Sequence, residues 1–346
     1  MKACVVLGAR QLTLSDLPDP IPGPGEALIR LGAGGICGSD LHYFAEGGVG
    51  DFRLREPLVL GHEVAGRVVA VGPGVQRVQP GDRVAVNPSH PCGSCPQCRR
   101  NRRNLCAHVR FFGSAARYPH VQGAFAELFV AAENNCFKIP DEISDRAAAC
   151  AEPLAVALHA VEQAGPMLGR SVFIAGAGPI GVLLAAAARM AGAGDVCVTD
   201  LFDEPLAIAR GMGATETVNV AADAADLQRY RADRGTFDVA FEASGHPAGL
   251  ASAIEVAAPG ATVVQVGMLP RGMTSAPLNP VVTKELRMIG SFRFDAEYAV
   301  AVAAIASGRI NVDPILTQEF PFAELTTAFA TAADRRKAMK VSLRPS

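Results

Sequence analysis

Apolar residues along this chain follow two rhythms. Up to about residue 150 they form short runs, such as 27–31, 63–71 and 83–86, cut by Pro22-Gly23-Pro24-Gly25, Gly72-Pro73-Gly74 and Pro80-Gly81-Asp82. Runs bounded in this way predict strands joined by turns. From Ser171 strands and helices alternate: strand 171–175, helix 178–191, strand 195–200, helix 204–212, then strands at 216–220, 237–242 and 262–266. Continuous apolar strands separated by helices predict a parallel sheet covered on both faces, an α/β doubly wound layout. The last fifty or so residues break this alternation, with a helix at 295–307 and extended segments at 315–320 and 340–343.

Composition narrows the function classes. At roughly 150 residues per domain, 346 residues make about two domains. Hydrophobic residues at 49% and charged residues at 19% exclude a disordered chain. Lys plus Arg (32) nearly balances Asp plus Glu (34), so no basic excess exists to drive nucleic-acid binding. The longest apolar stretch, 179–188, stops at Arg189, well short of the ~20 residues that span a bilayer. The apolar run at 3–7 is too short for a signal peptide, so the expectation is a soluble, cytoplasmic protein with no membrane partner.

The strand at 171–175 leads into Gly176-Ala177-Gly178-Pro179-Ile180-Gly181, a G-x-G-x-x-G that opens a helix. Asp200 ends the next strand, 19 residues past Gly181. That context predicts a dinucleotide site, with the pyrophosphate on the helix N-terminus and Asp200 on the ribose hydroxyls. The Asp200 charge repels a 2′-phosphate, Asp203 and Glu204 add to it, and no Lys or Arg occurs between Asp200 and Arg210. NAD is therefore expected over NADP. The competing explanation is an ordinary glycine turn with a capping Asp.

Nine cysteines are an odd number, and four of them, Cys92, Cys95, Cys98 and Cys106, fall within fifteen residues. Such a cluster suits a metal in a reducing compartment better than a disulfide framework. Four thiolates close a tetrahedral shell around Zn²⁺ and leave no open position, which makes the site structural. A redox pair and an iron–sulfur centre are the alternatives. Cys4, Cys136 and Cys197 lie in apolar or strand-like stretches and are expected to serve as small buried hydrophobes.

A second metal candidate combines Gly34-Gly35-Ile36-Cys37-Gly38-Ser39-Asp40-Leu41-His42-Tyr43 with Gly61-His62-Glu63. A Cys and a His on adjoining β-elements can supply two ligands to an open zinc site. Taken singly, each is as easily a buried thiol or a satisfied histidine.

With Glu152-Pro153-Leu154, the four-Cys segment and the glycine fingerprint, these motifs make the chain resemble the zinc-dependent medium-chain dehydrogenases over essentially its whole length. The stretches Glu46–Phe52, Pro57–Val64 and Gly290–Phe294 make it similar to their sorbitol dehydrogenase branch. The resemblance implies a GroES-like catalytic domain at 1–150 and 290–346, with a structural-zinc lobe at about 88–110, and an NAD-binding Rossmann domain at 151–289. It implies two zincs per chain, a homodimer or homotetramer, and a polyol or sugar-acid substrate oxidised by hydride transfer. Cys37 and His62 match catalytic zinc ligands, Glu63 matches a third, and Glu152 lies on the metal or reaches it through water. Cys150, two residues from Glu152, is a competing ligand.

Ser39 and His42 match a proton relay, although His42 on a short helical turn could equally be a surface histidine. Tyr43, Phe111, Glu152 and Arg293 match the substrate pocket. Arg293 would suit a substrate carboxylate, or else contact the cofactor or another chain. Gly176, Gly178, Pro179, Ile180, Gly181, Asp200, Val266, Gly267, Met268 and Phe292 match cofactor contacts. Pro205 departs from the branch, which commonly has Arg there. A zinc-free quinone reductase would lack Cys37, His62 and the four-Cys segment. A non-enzymatic cofactor sensor would have no use for an open zinc beside a proton relay.

Overall fold

The computed structural model describes residues 1–222 and 227–346, which fall into two units. One comprises residues 1–152, 298–308 and 316–346; the other comprises 153–297 and 309–315.

In the first unit the punctuated apolar runs build a seven-stranded sheet. Its order is Cys136–Lys138, Arg83–Val86, Glu63–Val71, Glu26–Gly35, Lys340–Arg344 and Leu316–Pro321, with Leu128–Ala132 also paired to Glu26–Gly35. The alternation along these strands turns Ile29, Leu31, Val64, Val68, Val84, Val86 and Leu343 into one core with Phe125 and Phe129. Each such side chain, fully buried, contributes about 1.5–3 kcal/mol relative to exposure. The tail breaks the α/β rhythm because it rejoins this sheet: Ser342 pairs with Gly35, antiparallel. A smaller sheet, ordered Gln11–Asp16, Lys2–Gly8 and Leu58–Val59, and two short ribbons, Gly48–Val49 with Phe52–Arg53 and Ser89–His90 with Arg110–Phe111, hold the unit's other strands.

The second unit is a six-stranded sheet with every pairing parallel. Its order is Glu216–Asn219, Val196–Asp200, Val172–Ala175, Phe237–Glu242, Ala257–Gln265 and Arg287–Gly290. Counted along the chain this is 3-2-1-4-5-6, the doubly wound order whose reversal creates a dinucleotide crevice at the carboxyl ends of the strands. All four residues of Val172–Ala175 are buried, as a central strand covered on both faces requires. The expected strand at 262–266 starts earlier, at Ala257, and runs through Pro259-Gly260. A register shift opposite Phe237 and Val239 absorbs the Pro-Gly pair that would otherwise mark a turn. No described helix is long and apolar enough to cross a membrane.

Candidate active site

The four clustered cysteines converge. Pro96 opens the short helix Pro96–Arg99 with Cys95 as its N-cap, and the 3₁₀ turn Arg103–Leu105 brings Cys106 back. All four sulfurs lie within 4.8 Å of one another. The Cys95–Cys106 and Cys92–Cys106 Sγ separations are 3.8 and 3.5 Å. A tetrahedron with Zn–S of about 2.3 Å has S···S edges of about 3.8 Å, so the set fits a closed zinc shell. The N–H groups of Cys92 and His108 each donate to Cys106 Sγ at 3.3 Å. N–H groups of Ser94 and Cys95 bring the Cys92 thiol down to about 6, while burial pushes Cys98 up to about 12. None of the nine cysteines is in a disulfide. Cys4, Cys136 and Cys197 are buried in apolar surroundings.

The second metal set comes from two paired strands. Glu26–Gly35 delivers Cys37, which then N-caps the helix Gly38–Glu46; His62 and Glu63 stand at the start of Glu63–Val71. One donor atom from each of Cys37, His62 and Glu63 lies within 4.8 Å of the others. Gly35 pairs with Glu63, and a Cβ at Gly35 would meet Glu63 Oε2 at 2.3 Å, so a side chain there would push the carboxylate from its place. Glu152, in the first turn of Ala151–Ala164, is buried outside that trio, and its charge interacts with His62, Glu63, Cys37 and Lys340. Burial pushes the Cys37 thiol up to about 12 and the Glu152 carboxyl up to about 8. Buried donors that resist becoming anions are the donors a divalent cation would stabilise as anions, so the set fits zinc. Cys150 is buried and ends the helix Asp145–Ala149; it is not among the three clustered donors.

Two residues carry this geometry without having been singled out for it by motif. Asp40 is fully buried, accepts the N–H groups of Cys37 (2.9 Å) and Gly61 (3.3 Å), and places Oδ1 3.8 Å from His62 Nδ1. It thus fixes the backbone at Cys37 and at Gly61, the residue before His62, and sets a carboxylate beside the imidazole without hydrogen-bonding it. Its signal in sequence is an acid three residues after an N-cap. Lys340, on the last strand, donates to both Glu63 carboxylate oxygens at 2.9 and 2.8 Å, and both side chains are buried. Burial alone would lower the Lys340 ammonium, but Glu63 holds it above its ordinary value.

Around these groups, Ser39 hydrogen-bonds the Cys37 thiol, and His42 stands half-exposed with Nδ1 3.0 Å from Glu46 Oε1. Phe111 packs its ring 5.6 Å from that of His62. Tyr43 is buried, and its hydroxyl accepts the Ala115 N–H at 2.9 Å. Tyr298, also buried, interacts with the Glu152 charge and packs against Phe137.

In the second unit the fingerprint adopts its expected form. Gly178 N-caps the helix Pro179–Met190, Pro179 opens it, and a Cβ on Gly181 would meet Gly176 O at 1.8 Å. The Asp200 carboxylate accepts the N–H groups of Ala177 and Leu201, each at 2.7 Å, tying the end of its strand to the glycine loop. Val266 and Gly267 donate their N–H groups to Glu242 O at 2.9 Å. Met268 and Phe292 are exposed, and the Arg293 guanidinium lies 4.9 Å over the Phe292 ring. Pro205 is buried in the helix Asp203–Gly211. His159 Nδ1 lies 2.8 Å from Glu297 Oε1, and Glu162 bonds the same carboxylate. Burial opposes ionisation of Glu297, but these bonds hold its carboxyl down at about 2.

Residues 23–141 match the alcohol dehydrogenase GroES-like domain family and residues 179–307 the zinc-binding dehydrogenase family. The chain belongs to the zinc-dependent medium-chain dehydrogenases, in their sorbitol dehydrogenase branch. It is 40% identical to L-idonate 5-dehydrogenase (NAD(P)⁺) of Escherichia coli, over 99% of this chain and 98% of that one. The crystal structure of that Escherichia coli enzyme superposes with a TM-score of 0.94, covering 99% of this chain and 97% of the other. Sorbitol dehydrogenase 1 of Saccharomyces cerevisiae is 37% identical over 94% of this chain and 93% of its own. The protein is a zinc-containing polyol or sugar-acid dehydrogenase, with a structural four-Cys cluster and a Cys/His/Glu metal site.

Proposed function

We propose that the enzyme oxidises L-idonate at carbon 5 to 5-keto-D-gluconate with NAD⁺, reversibly. The convergence of Cys37, His62 and Glu63 into one buried donor set, apart from the four-Cys lobe, is the observation that carries the dehydrogenase chemistry. Zinc there supplies Lewis acidity toward a substrate hydroxyl, and the nicotinamide supplies the hydride acceptor. Cys37 and His62 would hold the metal, with a carboxylate from Glu63 or Glu152, and Asp40 fixes the backbone at Cys37 and at Gly61 beside His62. Ser39, bonded to Cys37, would take up the hydroxyl proton as it hands its own on toward His42, which stands half-exposed four residues before Glu46 and can release it to water. The expected homodimer or homotetramer and a cytoplasmic location belong to the same proposal.

Identity to the Escherichia coli enzyme supports the substrate, and Arg293 supplies paired donors that suit a sugar-acid carboxylate. Asp200, with Asp203 and Glu204 following it, supports NAD over NADP. Similarity to sorbitol dehydrogenases supports sorbitol or xylitol as the alternative.

A steady-state comparison of L-idonate, sorbitol and xylitol, each with NAD⁺ and NADP⁺, tests the proposal. A hydrogen bond to a charged group contributes about 1.5–3 kcal/mol, so kcat/KM for L-idonate should exceed that for sorbitol by about 10-fold or more. NAD⁺ should exceed NADP⁺ in every pair. An idonate rate no better than sorbitol removes the substrate assignment, and a preference for NADP⁺ removes the role given to Asp200.

A further inference from the structure

A third group of metal-binding side chains lies outside both cysteine-bearing sets. The helix Ala151–Ala164 carries His159 and Glu162 three residues apart, the spacing at which a helix presents paired ligands on one face. Glu297, which opens the helix Glu297–Ala306, meets them there. Its Oε1 is 2.8 Å from His159 Nδ1, and the Glu162 carboxyl bonds the same carboxylate. One donor atom from each of the three lies within 4.8 Å of the others. All three belong to the second unit, and none takes part in the chemistry proposed above. His159 and Glu297 are buried, at 6% and 8% exposure, while Glu162 reaches solvent.

The charges of this group do not balance. Two carboxylates share one imidazole, Asp295 adds a further acid nearby, and neither Glu162 nor Glu297 has a lysine or arginine ion pair among the described residues. The local backbone holds the Glu297 carboxylate in place: the Asp295 N–H donates to Oε2 at 2.6 Å, which leaves Oε1 to His159. Glu162 relieves the repulsion by keeping a proton, because its bond to Glu297 raises its carboxyl above the usual range. A shared proton is one way for two neighbouring acids to sit together, and a divalent cation is the other.

We propose that His159, Glu162 and Glu297 form a third, exchangeable site for a first-row divalent cation, held by one imidazole nitrogen and two carboxylates. The site stands apart from the two zinc assignments. Two hard oxygen donors with one imidazole suit an ion of the manganese(II) type, and no thiolate is present to hold zinc preferentially. Ligand edges in an octahedral shell of about 2.1 Å radius measure about 3 Å, close to the 2.8 Å between His159 Nδ1 and Glu297 Oε1. On binding, Glu162 gives up its proton and the imidazole proton moves from Nδ1 to Nε2, so one proton leaves for each ion bound. The solvent-facing side at Glu162 leaves the remaining positions to water, so the ion exchanges and the desalted enzyme keeps only its two zincs. The bound ion ties the C-terminal half of Ala151–Ala164 to Glu297.

The test uses the full-length, zinc-loaded enzyme, desalted and titrated with manganese(II). The electron paramagnetic resonance signal of free manganese counts the bound ion, zinc content is followed in parallel, and the melting temperature is read across the titration. Wild type should bind one manganese per chain with its zinc retained, and its melting temperature should rise with manganese concentration. Glu162→Gln should bind at least about 10-fold more weakly, the lower end of what losing even a partner behind a ligand costs. Without manganese this variant should melt close to wild type, because its amide still donates to Glu297 as the protonated acid does. Glu297→Gln should lose binding as well; if that buried variant fails to fold, Glu162→Gln decides alone. Wild-type enzyme that binds no manganese at millimolar concentration would overturn the proposal and leave a trio held by a proton only. Manganese bound equally by wild type and Glu162→Gln, or bound only as zinc is lost, would overturn it too, since the ion would then sit elsewhere. A chain that binds manganese here yet holds fewer than two zincs supports this site and removes the two-zinc reading, so the two failures are distinct.

Discussion

Cys37→Ser lowers kcat/KM for the best alcohol substrate by about 1,000-fold or more while the protein stays folded. The size follows from the chemistry: a Lewis acid contributes several kcal/mol, and each 1.36 kcal/mol is about tenfold in rate. Cys37 supplies one of three clustered donors, and its thiol, pushed up to about 12 by burial, is a poor anion until a cation shares its pocket. Serine keeps the size and the N-cap position while removing the soft donor. Far-ultraviolet circular dichroism and the melting temperature should change little, because the cap's main support is the Asp40 carboxylate on the Cys37 N–H at 2.9 Å. Activity within a few-fold of wild type would mean that the reacting hydroxyl is polarised elsewhere.

Cys98→Ser has the opposite signature. Cys98 is one of four sulfurs lying within 4.8 Å of one another, in a segment with only a small satellite cluster of buried residues, Cys95, Cys98, Cys106 and neighbouring Val109. Without the metal, little else holds that segment, since structural zinc supplies folding free energy directly. The urea midpoint should fall by an amount equivalent to at least about 2 kcal/mol, the scale on which loss of a metal acts. Trypsin should cut rapidly at the exposed Arg99, Arg100 and Arg102, which the intact lobe protects by restricting their backbone. An unchanged midpoint together with trypsin resistance would show that the lobe holds itself without zinc.

Motif spacing revealed most of what is local to the chain. The C-x2-C-x2-C-x7-C segment needed only its own turns to bring four sulfurs together, and G-x-G-x-x-G needed only the strand before it and the helix after it. Strand ends were legible at most Pro and Gly turns, but the strand expected at 27–31 runs on through Gly32 and Gly34 to Gly35. They failed at Pro259-Gly260, where a register shift in the neighbouring pairing kept the chain extended. Long-range partnerships were the least visible. Lys340 lies 277 positions from Glu63, and nothing around it in sequence announces an ion pair except a lysine among the apolar residues of a final strand. Asp40 was part of a quoted motif, but its service to His62 depends on the Gly61 turn reaching back to the helix Gly38–Glu46. Such roles arise from strand pairing, which a linear pattern does not state.

On the reading proposed above, this chain carries two zincs with different duties, one closed and one open to chemistry. Zinc content per chain, measured by plasma mass spectrometry alongside activity during dipicolinate treatment, tests it most directly. Wild-type enzyme should hold two zincs, lose one to the chelator in step with its activity, and regain both on zinc addition, while Cys37→Ser should hold one from the start. A fully active enzyme with one zinc, or one that keeps its activity after losing the chelatable metal, would contradict the account.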